Sequence, residues 1–142
     1  CEDLKIRYDK MGVKSSVESY FNNIEEIFST SHLIIARAGA STISEAMFFG
    51  RPLILIPIKN SIFDHQKLNA EVLSTKGAAF CIDEEECNYI KLAYKITKIL
   101  TDNKLATLLS TNAKSIAMPE ASSNLKKIAL KTFNGENLES KD

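Results

Sequence analysis

The chain has 142 residues, of which 44% are hydrophobic and 25% are charged, and its 18 basic residues balance its 18 acidic ones. This length and composition predict one globular domain with a single hydrophobic core. The zero net charge excludes a bulk electrostatic attraction to nucleic acid or anionic lipid.

The first part of the chain predicts a helix, a strand and a second helix. Residues 2–11 follow a charged helical pattern that ends at a glycine, and residues 13–21 predict a strand with few apolar side chains among polar ones. The asparagine pair at 22–23 makes a turn or an N-cap, which begins a short helix over residues 24–30.

Two apolar runs predict buried strands on either side of a helix. Residues 33–36 form a continuous apolar run that is too short for a helix and is typical of a buried parallel strand. A helix over residues 42–49 follows and ends at Gly50, a residue type that favours helix termination. Residues 52–57 form a second apolar run, with proline at its entry and at its exit.

The rest of the chain predicts one more strand among helices. In order, the elements are a loop over 58–63, a helix over 64–76, a strand over 78–82, an acidic helix start at 84–86, helices over about 87–101 and 103–117, a break at Pro119 and a last helix that ends near Thr132. We therefore expect one domain over residues 1–133 and a polar tail over residues 134–142.

The order of these elements predicts the fold class. Strands and helices alternate, the strands are apolar and the connections are short, which indicates an α/β fold with a parallel sheet that helices cover on both faces. Ligands of such sheets bind outside the carboxyl ends of the strands. The loops after Tyr20, Ala36 and Ile56 should therefore lie together at one edge of the sheet.

The segment from Ile35 to Glu45 is the most informative one. There an apolar strand ends, the chain turns through small residues, and an amphipathic helix starts at residues 41–42. A helix N-terminus that follows a strand presents unpaired amides and a positive dipole end, which together suit an anion. Gly39 and Ala40 let the backbone approach a ligand closely. We expect a phosphate or diphosphate here, with Gly39 also permitting the turn.

Several polar residues of this helix have two interpretations. Thr42 and Glu45 have the spacing of a capping box, so Glu45 either caps its own helix or binds a ligand. Ser41, Thr42 and Ser44 are either helix-capping residues or ligand contacts. Arg37, at the strand end, either pairs with a phosphate or ties the turn to a nearby carboxylate, and we expect the structural role.

The start of the next helix carries a second polar group. Asp64 is placed to be its N-cap, and His65 is expected to be a solvated first-turn residue rather than a catalytic base. Gln66 can both donate and accept hydrogen bonds, which suits the recognition of sugar hydroxyls. Asn69 either supports the site or bonds to the loop backbone.

Other conspicuous residues have structural interpretations. The apolar run at 47–49 suits core packing better than contact with a membrane. No apolar run reaches the roughly 20 residues of a membrane span, and we expect no signal peptide. Cys81 and Cys87 are expected to be inert thiols in a reducing compartment. A solvated helical face is expected to carry Lys91, Lys95, Lys98 and Lys104.

Four motifs in this order resemble the C-terminal domain of the MurG family of glycosyltransferases, which is glycosyltransferase family 28. They are residues 36–45, the Gly-Arg-Pro at 50–52 that leads to Ile-Pro at 56–57, the Asp-His-Gln at 64–66 and the Asn-Ala at 69–70. The resemblance covers about residues 12–132 and is strongest over 33–70.

The resemblance implies a GT-B architecture of two Rossmann-like domains, in which the C-terminal one holds the donor UDP-N-acetylglucosamine with no cofactor and no metal. Glu45 would then hydrogen-bond the ribose hydroxyls, the backbone at Phe21 would lie against the uracil, and Gln66 would reach the sugar hydroxyls. The residues that would face the diphosphate and ribose are Ala40, Ser41, Thr42, Ile43 and Ser44. Supporting residues would be Arg37, Gly39, His65 and Asn69.

The resemblance also implies a function for which this chain is incomplete. The family adds N-acetylglucosamine to undecaprenyl-diphospho-muramoyl-pentapeptide, making lipid II for peptidoglycan. Its N-terminal half, which holds the lipid-linked acceptor and the candidate base, and the first strand and glycine-rich turn of its C-terminal domain are expected before Cys1. We therefore expect a fragment with no catalytic residue and no activity of its own, in the cytoplasm or peripheral on the cytoplasmic face of the inner membrane.

Two other functions remain open from the sequence. The chain could be a non-catalytic UDP-sugar-binding subunit that pairs with a separate acceptor-binding chain, as in the two-chain dolichol-linked N-acetylglucosamine transferase. It could also derive from a UDP-sugar epimerase of GT-B form. The motif from Arg37 to Glu45, together with Gln66, argues against the epimerase.

Overall fold

The computed structural model of the protein describes residues 2–59 and 64–117. Its helices are α1 (Glu2–Lys10), α2 (Ile24–Thr30), α3 (Ala40–Phe48), α4 (His65–Thr75), α5 (Tyr89–Thr101) and α6 (Asn103–Ile116). Its strands are β1 (Ile34–Ala36), β2 (Leu53–Leu55) and β3 (Ala79–Cys81), and a short 3-10 helix spans Glu84–Glu86. The predicted break at Pro119, the last helix, the tail and most of the loop over 58–63 lie outside the described residues.

The strands form one parallel sheet in the order β1-β2-β3. Ile34 pairs with Leu53, and Leu53 pairs in turn with Ala79, so the strands are aligned from their first residues. Because the strands are parallel, the loops that follow them leave the sheet at the same edge. The predicted α/β fold with a parallel sheet is confirmed.

Helices cover both faces of the central strand. Leu53 and Leu55 point to one face, where they belong to one buried cluster with Ile43 of α3 and Leu73 of α4. Ile54 points to the other face and packs with buried residues of α5 and α6. All three β2 side chains are fully buried, which explains why this strand is apolar at every position.

The predicted strand over residues 13–21 is wrong. This segment has no regular secondary structure, and most of its side chains are exposed. An extended segment becomes a strand only when its backbone pairs with a neighbour. Within the described part of the chain, β1 pairs only with β2, and Ile35 of β1 is 43% exposed. The segment therefore has neither a pairing partner nor enough apolar side chains to hold it against the core.

The predicted helices that fall in the described residues are confirmed, with ends that shift by a few residues. Among residues 2–59 and 64–117, no helix has the length and apolar character needed to cross a membrane.

Gly50 ends α3 in the way the sequence predicts. Its φ of +59° lies in the left-handed region, which glycine adopts without strain. Its N–H donates to the carbonyl of Met47 at 2.9 Å, and the N–H of Arg51 donates to the carbonyl of Ala46 at 3.2 Å. This pair of bonds is the Schellman motif, which satisfies the last carbonyls of the helix.

We predict that Gly50→Ala lowers the free energy of unfolding by about 1–2 kcal/mol, because a β-carbon strains a left-handed backbone. The added methyl group also meets the side chain of Lys114. Gly39→Ala is the matched control, because Gly39 has a φ of −70° and no described residue beyond its chain neighbours has a heavy atom within 4 Å of the added β-carbon. Its change should stay within about 0.5 kcal/mol. Equal effects of the two substitutions in urea denaturation would contradict this assignment.

Candidate functional site

The α3 helix begins without a side-chain cap. β1 ends at Ala36, and α3 begins at Ala40, after a short turn at the carboxyl edge of the sheet. The N–H of Ile43 donates to the carbonyl of Gly39 at 3.0 Å, and no side chain of the described residues caps the helix. The amides that precede Ile43 in the first turn therefore have no acceptor within the helix, and they lie at the positive end of its dipole.

The N-cap of α3 lies earlier in the chain than the sequence predicts. The N-cap is Gly39, so the predicted start at residues 41–42 is one or two residues late. Thr42 lies inside the first turn, which makes the capping-box interpretation of Glu45 wrong. Ser41 and Ser44 do not cap the helix either. Glu45 is exposed in the second turn, where its carboxylate is too far along the helix to satisfy the first amides.

Gly39 is not needed to make the turn. Its φ of −70° and ψ of 139° are open to any residue, so the expectation that it permits the turn is wrong. Among the described residues, and apart from the two chain neighbours of Gly39, a β-carbon at this position would meet no heavy atom within 4 Å. The glycine thus leaves open space beside the uncapped amides, where a ligand could approach the backbone.

Arg37 ties the turn to its surroundings. Its Nη1 donates to the carbonyl of Ile56, just after β2, at 3.2 Å. Its Nη2 lies 2.7 Å from Oε1 of Glu84, in the 3-10 helix after β3. The guanidinium therefore joins the loops that follow all three strands, and the expected structural role of Arg37 is confirmed.

Glu84 has contacts that its local sequence does not indicate. The acidic run at 84–86 was predicted only as a helix start that suits the dipole. In the structure, Oε2 of Glu84 accepts a hydrogen bond from the backbone N–H of Lys59 at 2.9 Å, and the Lys59 ammonium pairs with Glu85. Lys59 lies 25 residues from Glu84 and 26 residues from Glu85 in the sequence, so no local sequence pattern indicates these two contacts.

The contacts of Glu84 and Lys59 shift the pKa values of both side chains toward their charged forms. The backbone N–H of Lys59, followed by the Arg37 guanidinium, holds the pKa of the Glu84 carboxyl below its ordinary value. The hydrogen bond to Glu85 is the largest cause of a raised pKa of the Lys59 ammonium. Both groups are therefore fully charged at neutral pH.

The first turns of α4 contact both neighbouring loops. Gln66 is half-buried, and its Oε1 accepts a hydrogen bond from the backbone N–H of Ile58 at 3.2 Å. Nδ2 of Asn69 donates to the carbonyl of Ala38 at 3.2 Å, which confirms its alternative role as a bond to the loop backbone. His65 is exposed, as expected.

Asp64 occupies the predicted N-cap position of α4, but its side chain does not cap the helix. Its φ of 52° places it in the left-handed region, a conformation that aspartate tolerates better than most residues. The position is thus predicted correctly, and the capping bond is not formed.

The remaining predictions have mixed outcomes. In the run at 47–49, the first and last side chains pack against the core, whereas Phe48 is 57% exposed. Burial raises the pKa of the Cys81 thiol, which agrees with an inert role. Lys91 pairs with Glu86 at 2.8 Å, and the Lys95 ammonium lies 4.4 Å above the Phe80 ring, so these lysines are not simply solvated.

The contacts bring most of the predicted site residues to one edge. Arg37, the open turn at 38–40, Gln66 and Asn69 all lie where the loops after β1 and β2 meet the start of α4. Phe21 is half-buried in the segment before α2, and its place against a base stays a prediction.

The fold and this edge define a Rossmann-like α/β domain with an open turn at the carboxyl ends of its strands. The family model of the Glycosyltransferase family 28 C-terminal domain matches residues 1–129, and the chain belongs to this family. The resemblance stated from the motifs is confirmed.

Curated relatives agree with this assignment. The UDP-N-acetylglucosamine--N-acetylmuramyl-(pentapeptide) pyrophosphoryl-undecaprenol N-acetylglucosamine transferase of Pseudomonas putida (strain F1) is 32% identical over 129 residues, which are 91% of this chain and 36% of that protein. The enzyme of the same name from Anaplasma marginale is 36% identical over 114 residues, which are 80% of this chain and 32% of that protein. The chain therefore spans about a third of the length of these relatives.

Solved structures place the fold among GT-B glycosyltransferases. The MurG of Acinetobacter baumannii superposes with a TM-score of 0.72 at 25% identity, over 84% of this chain and 34% of that one. A glycotransferase of kitacinnamycin shares the fold alone, with a TM-score of 0.60 at 18% identity, over 82% of this chain and 32% of that one. The chain thus has the fold of the C-terminal domain of GT-B glycosyltransferases.

We predict that Arg37→Ala raises the pKa of Glu84 part of the way to its ordinary value, because the Lys59 N–H bond remains. A carboxyl with a lowered pKa stabilises the folded state above its unfolded-state pKa, and this contribution is lost as the pH falls through the folded-state pKa. A carboxyl NMR titration from about pH 7 to about pH 2 covers this range.

Glu86 is the control, because Lys91 rather than Arg37 lowers the pKa of its carboxyl. Its titration should not change in Arg37→Ala. An unchanged Glu84 titration in the variant would show that the two side chains do not pair in solution.

Proposed function

We propose that this chain is the donor-binding part of a UDP-N-acetylglucosamine:undecaprenyl-diphospho-muramoyl-pentapeptide N-acetylglucosaminyltransferase, the enzyme that makes lipid II. Membership of the Glycosyltransferase family 28 C-terminal domain supports the class of reaction. The names of the transferases from Pseudomonas putida and Anaplasma marginale support the substrates. The observation that carries the donor role is the uncapped N-terminus of α3 at the carboxyl edge of the sheet.

The diphosphate of the donor sits on the first turn of α3. Ala40, Ser41 and Thr42 present amides that no helical carbonyl accepts, and a phosphate oxygen satisfies them while it faces the positive end of the dipole. The open space beside Gly39 lets the diphosphate approach the backbone. Ile43 and Ser44 complete the first turns around the diphosphate and the ribose.

Three residues recognise the rest of the donor. Glu45 is exposed and does not cap its helix, so its carboxylate is available to accept hydrogen bonds from the ribose hydroxyls. Gln66, held by the loop after β2, reaches the sugar hydroxyls, and His65 and Asn69 support it. The backbone at Phe21 lies against the uracil.

The reaction is the displacement of UDP from the anomeric carbon by an acceptor hydroxyl, with inversion. The amides of α3 stabilise the negative charge that develops on the leaving diphosphate. The general base and the site for the lipid-linked acceptor come from the N-terminal half of the enzyme, which has no counterpart in the third of the relatives' length that this chain spans. Joined to that half, the enzyme acts as a peripheral protein on the cytoplasmic face of the inner membrane.

The limited span also favours a second candidate, a non-catalytic UDP-sugar-binding subunit that pairs with a separate acceptor-binding chain. The coding sequence upstream of this chain distinguishes the two. A continuous reading frame for the N-terminal half supports a single enzyme, and a separate gene for that half supports a two-chain enzyme.

We predict that the chain binds UDP and UDP-N-acetylglucosamine weakly in titration calorimetry and that Glu45→Gln weakens UDP binding about tenfold, because a charged hydrogen bond to the ribose is lost. The same substitution should not change the affinity for a UDP analogue that lacks both ribose hydroxyls. This double comparison isolates the contact between the carboxylate and the ribose.

Glu71→Gln is the matched control, since Glu71 is also an exposed helical glutamate, and it lines a different cavity, with Cys81, Asp83 and Lys95. It should leave both affinities unchanged. Equal weakening of UDP and of its analogue in Glu45→Gln contradicts the ribose contact. Transfer to the lipid-linked acceptor by this chain alone contradicts the need for the N-terminal half.

A further inference from the structure

Glu84 connects two loops that no sequence pattern relates. One carboxylate oxygen lies 2.7 Å from the Arg37 guanidinium, in the turn after β1. The other accepts the backbone N–H of Lys59 at 2.9 Å, in the loop after β2. One oxygen of Glu84 therefore pairs with a side chain of the first loop, and the other accepts a hydrogen bond from the backbone of the second loop.

The loop segment that Glu84 holds at Lys59 also contacts Gln66. The residue before Lys59 is Ile58, whose own N–H donates to Oε1 of Gln66 at 3.2 Å. The Arg37 guanidinium also donates a hydrogen bond to the Ile56 carbonyl of this loop. Glu84 and Arg37 thus hold the backbone of residues 56–59 by hydrogen bonds. The same backbone segment donates a hydrogen bond to the Gln66 side chain.

We propose that Glu84 is a positioning residue for sugar recognition, which sets the place of Gln66 by anchoring the loop over residues 56–59. The proposal rests on the proposed donor site, because it assumes that Gln66 contacts the sugar. Glu84 itself does not touch the donor in this scheme. It determines how strongly the protein prefers one configuration of the sugar hydroxyls to another.

The surroundings of Glu84 separate this role from a contribution to overall stability. The side chains of Arg37 and Glu84 are 49% and 37% exposed, and ion pairs with such exposure contribute little to folding. Glu84 and Lys59 belong to neither of the two hydrophobic clusters that the described residues form. Removal of the carboxylate should therefore release the loop and leave the sheet and its helices intact.

The test compares Glu84→Ala with Glu84→Gln. Alanine removes the acceptor for the Lys59 N–H, whereas the glutamine amide keeps an oxygen that can accept it. We expect Glu84→Ala to reduce the preference for UDP-N-acetylglucosamine over UDP-N-acetylgalactosamine, which differs in the configuration of one ring hydroxyl, by roughly three- to tenfold. Glu84→Gln should retain most of the preference, and UDP itself should bind equally to all three proteins.

Hydrogen exchange gives a readout that needs no ligand. The Lys59 amide should exchange faster in Glu84→Ala than in the unchanged protein, and Glu84→Gln should restore its protection. Glu86→Ala is the matched control, because Glu86 lies in the same 3-10 helix and pairs with Lys91 instead. It should change neither the exchange at Lys59 nor the sugar preference.

The outcomes separate the two levels of the proposal. If the unchanged protein binds UDP but the sugar preference of Glu84→Ala is unaltered, the role of Glu84 is overturned and the donor site stands. If UDP and both nucleotide sugars weaken to the same degree, Glu84 supports the site generally and the specific role is also overturned. If the unchanged protein binds no UDP, the donor site is wrong and the role of Glu84 is overturned with it.

Discussion

The rest of the site depends on a group of backbone amides at the start of α3 for which the described residues provide no side-chain cap. Unpaired amides at a helix start are tolerated where water or a ligand reaches them, and their shared orientation concentrates positive charge. The parallel pairing of β1 with β2 fixes where this charge lies, because it brings the turn after β1 to the edge where the β2 loop also emerges. The side chains of β2 pack into buried clusters on both faces of the sheet.

Polar contacts rather than apolar packing shape the loops at this edge. Arg37 bridges to Ile56 and Glu84, and Asn69 holds the carbonyl of Ala38. Such contacts position the loops at this edge. Gly39 contributes by leaving out a side chain that would occupy the space beside the uncapped amides. The same features that make the edge open thus make it suitable for a charged, hydrophilic ligand.

Local sequence patterns predict those structural features that local interactions determine, such as a buried strand or the end of a helix. The proline-flanked run that contains β2 and the glycine that ends α3 were found from the sequence, because burial on both faces and a left-handed backbone restrict the residue type. The strand predicted over residues 13–21 is absent from the structure, because a strand depends on a pairing neighbour that the local sequence does not reveal. The capping box at Glu45 failed because helix starts shift by a residue or two, and the Glu84 contacts escaped detection because they join distant residues.

The most direct test of the donor site follows the amide resonances of α3 by NMR while UDP is added. The diphosphate should shift the amides of Ala40, Ser41 and Thr42 most strongly, and uridine, which has no phosphate, should leave them nearly unchanged. Equal shifts with uridine and UDP, or shifts confined to another part of the molecule, would contradict the assignment of the α3 turn as the diphosphate site.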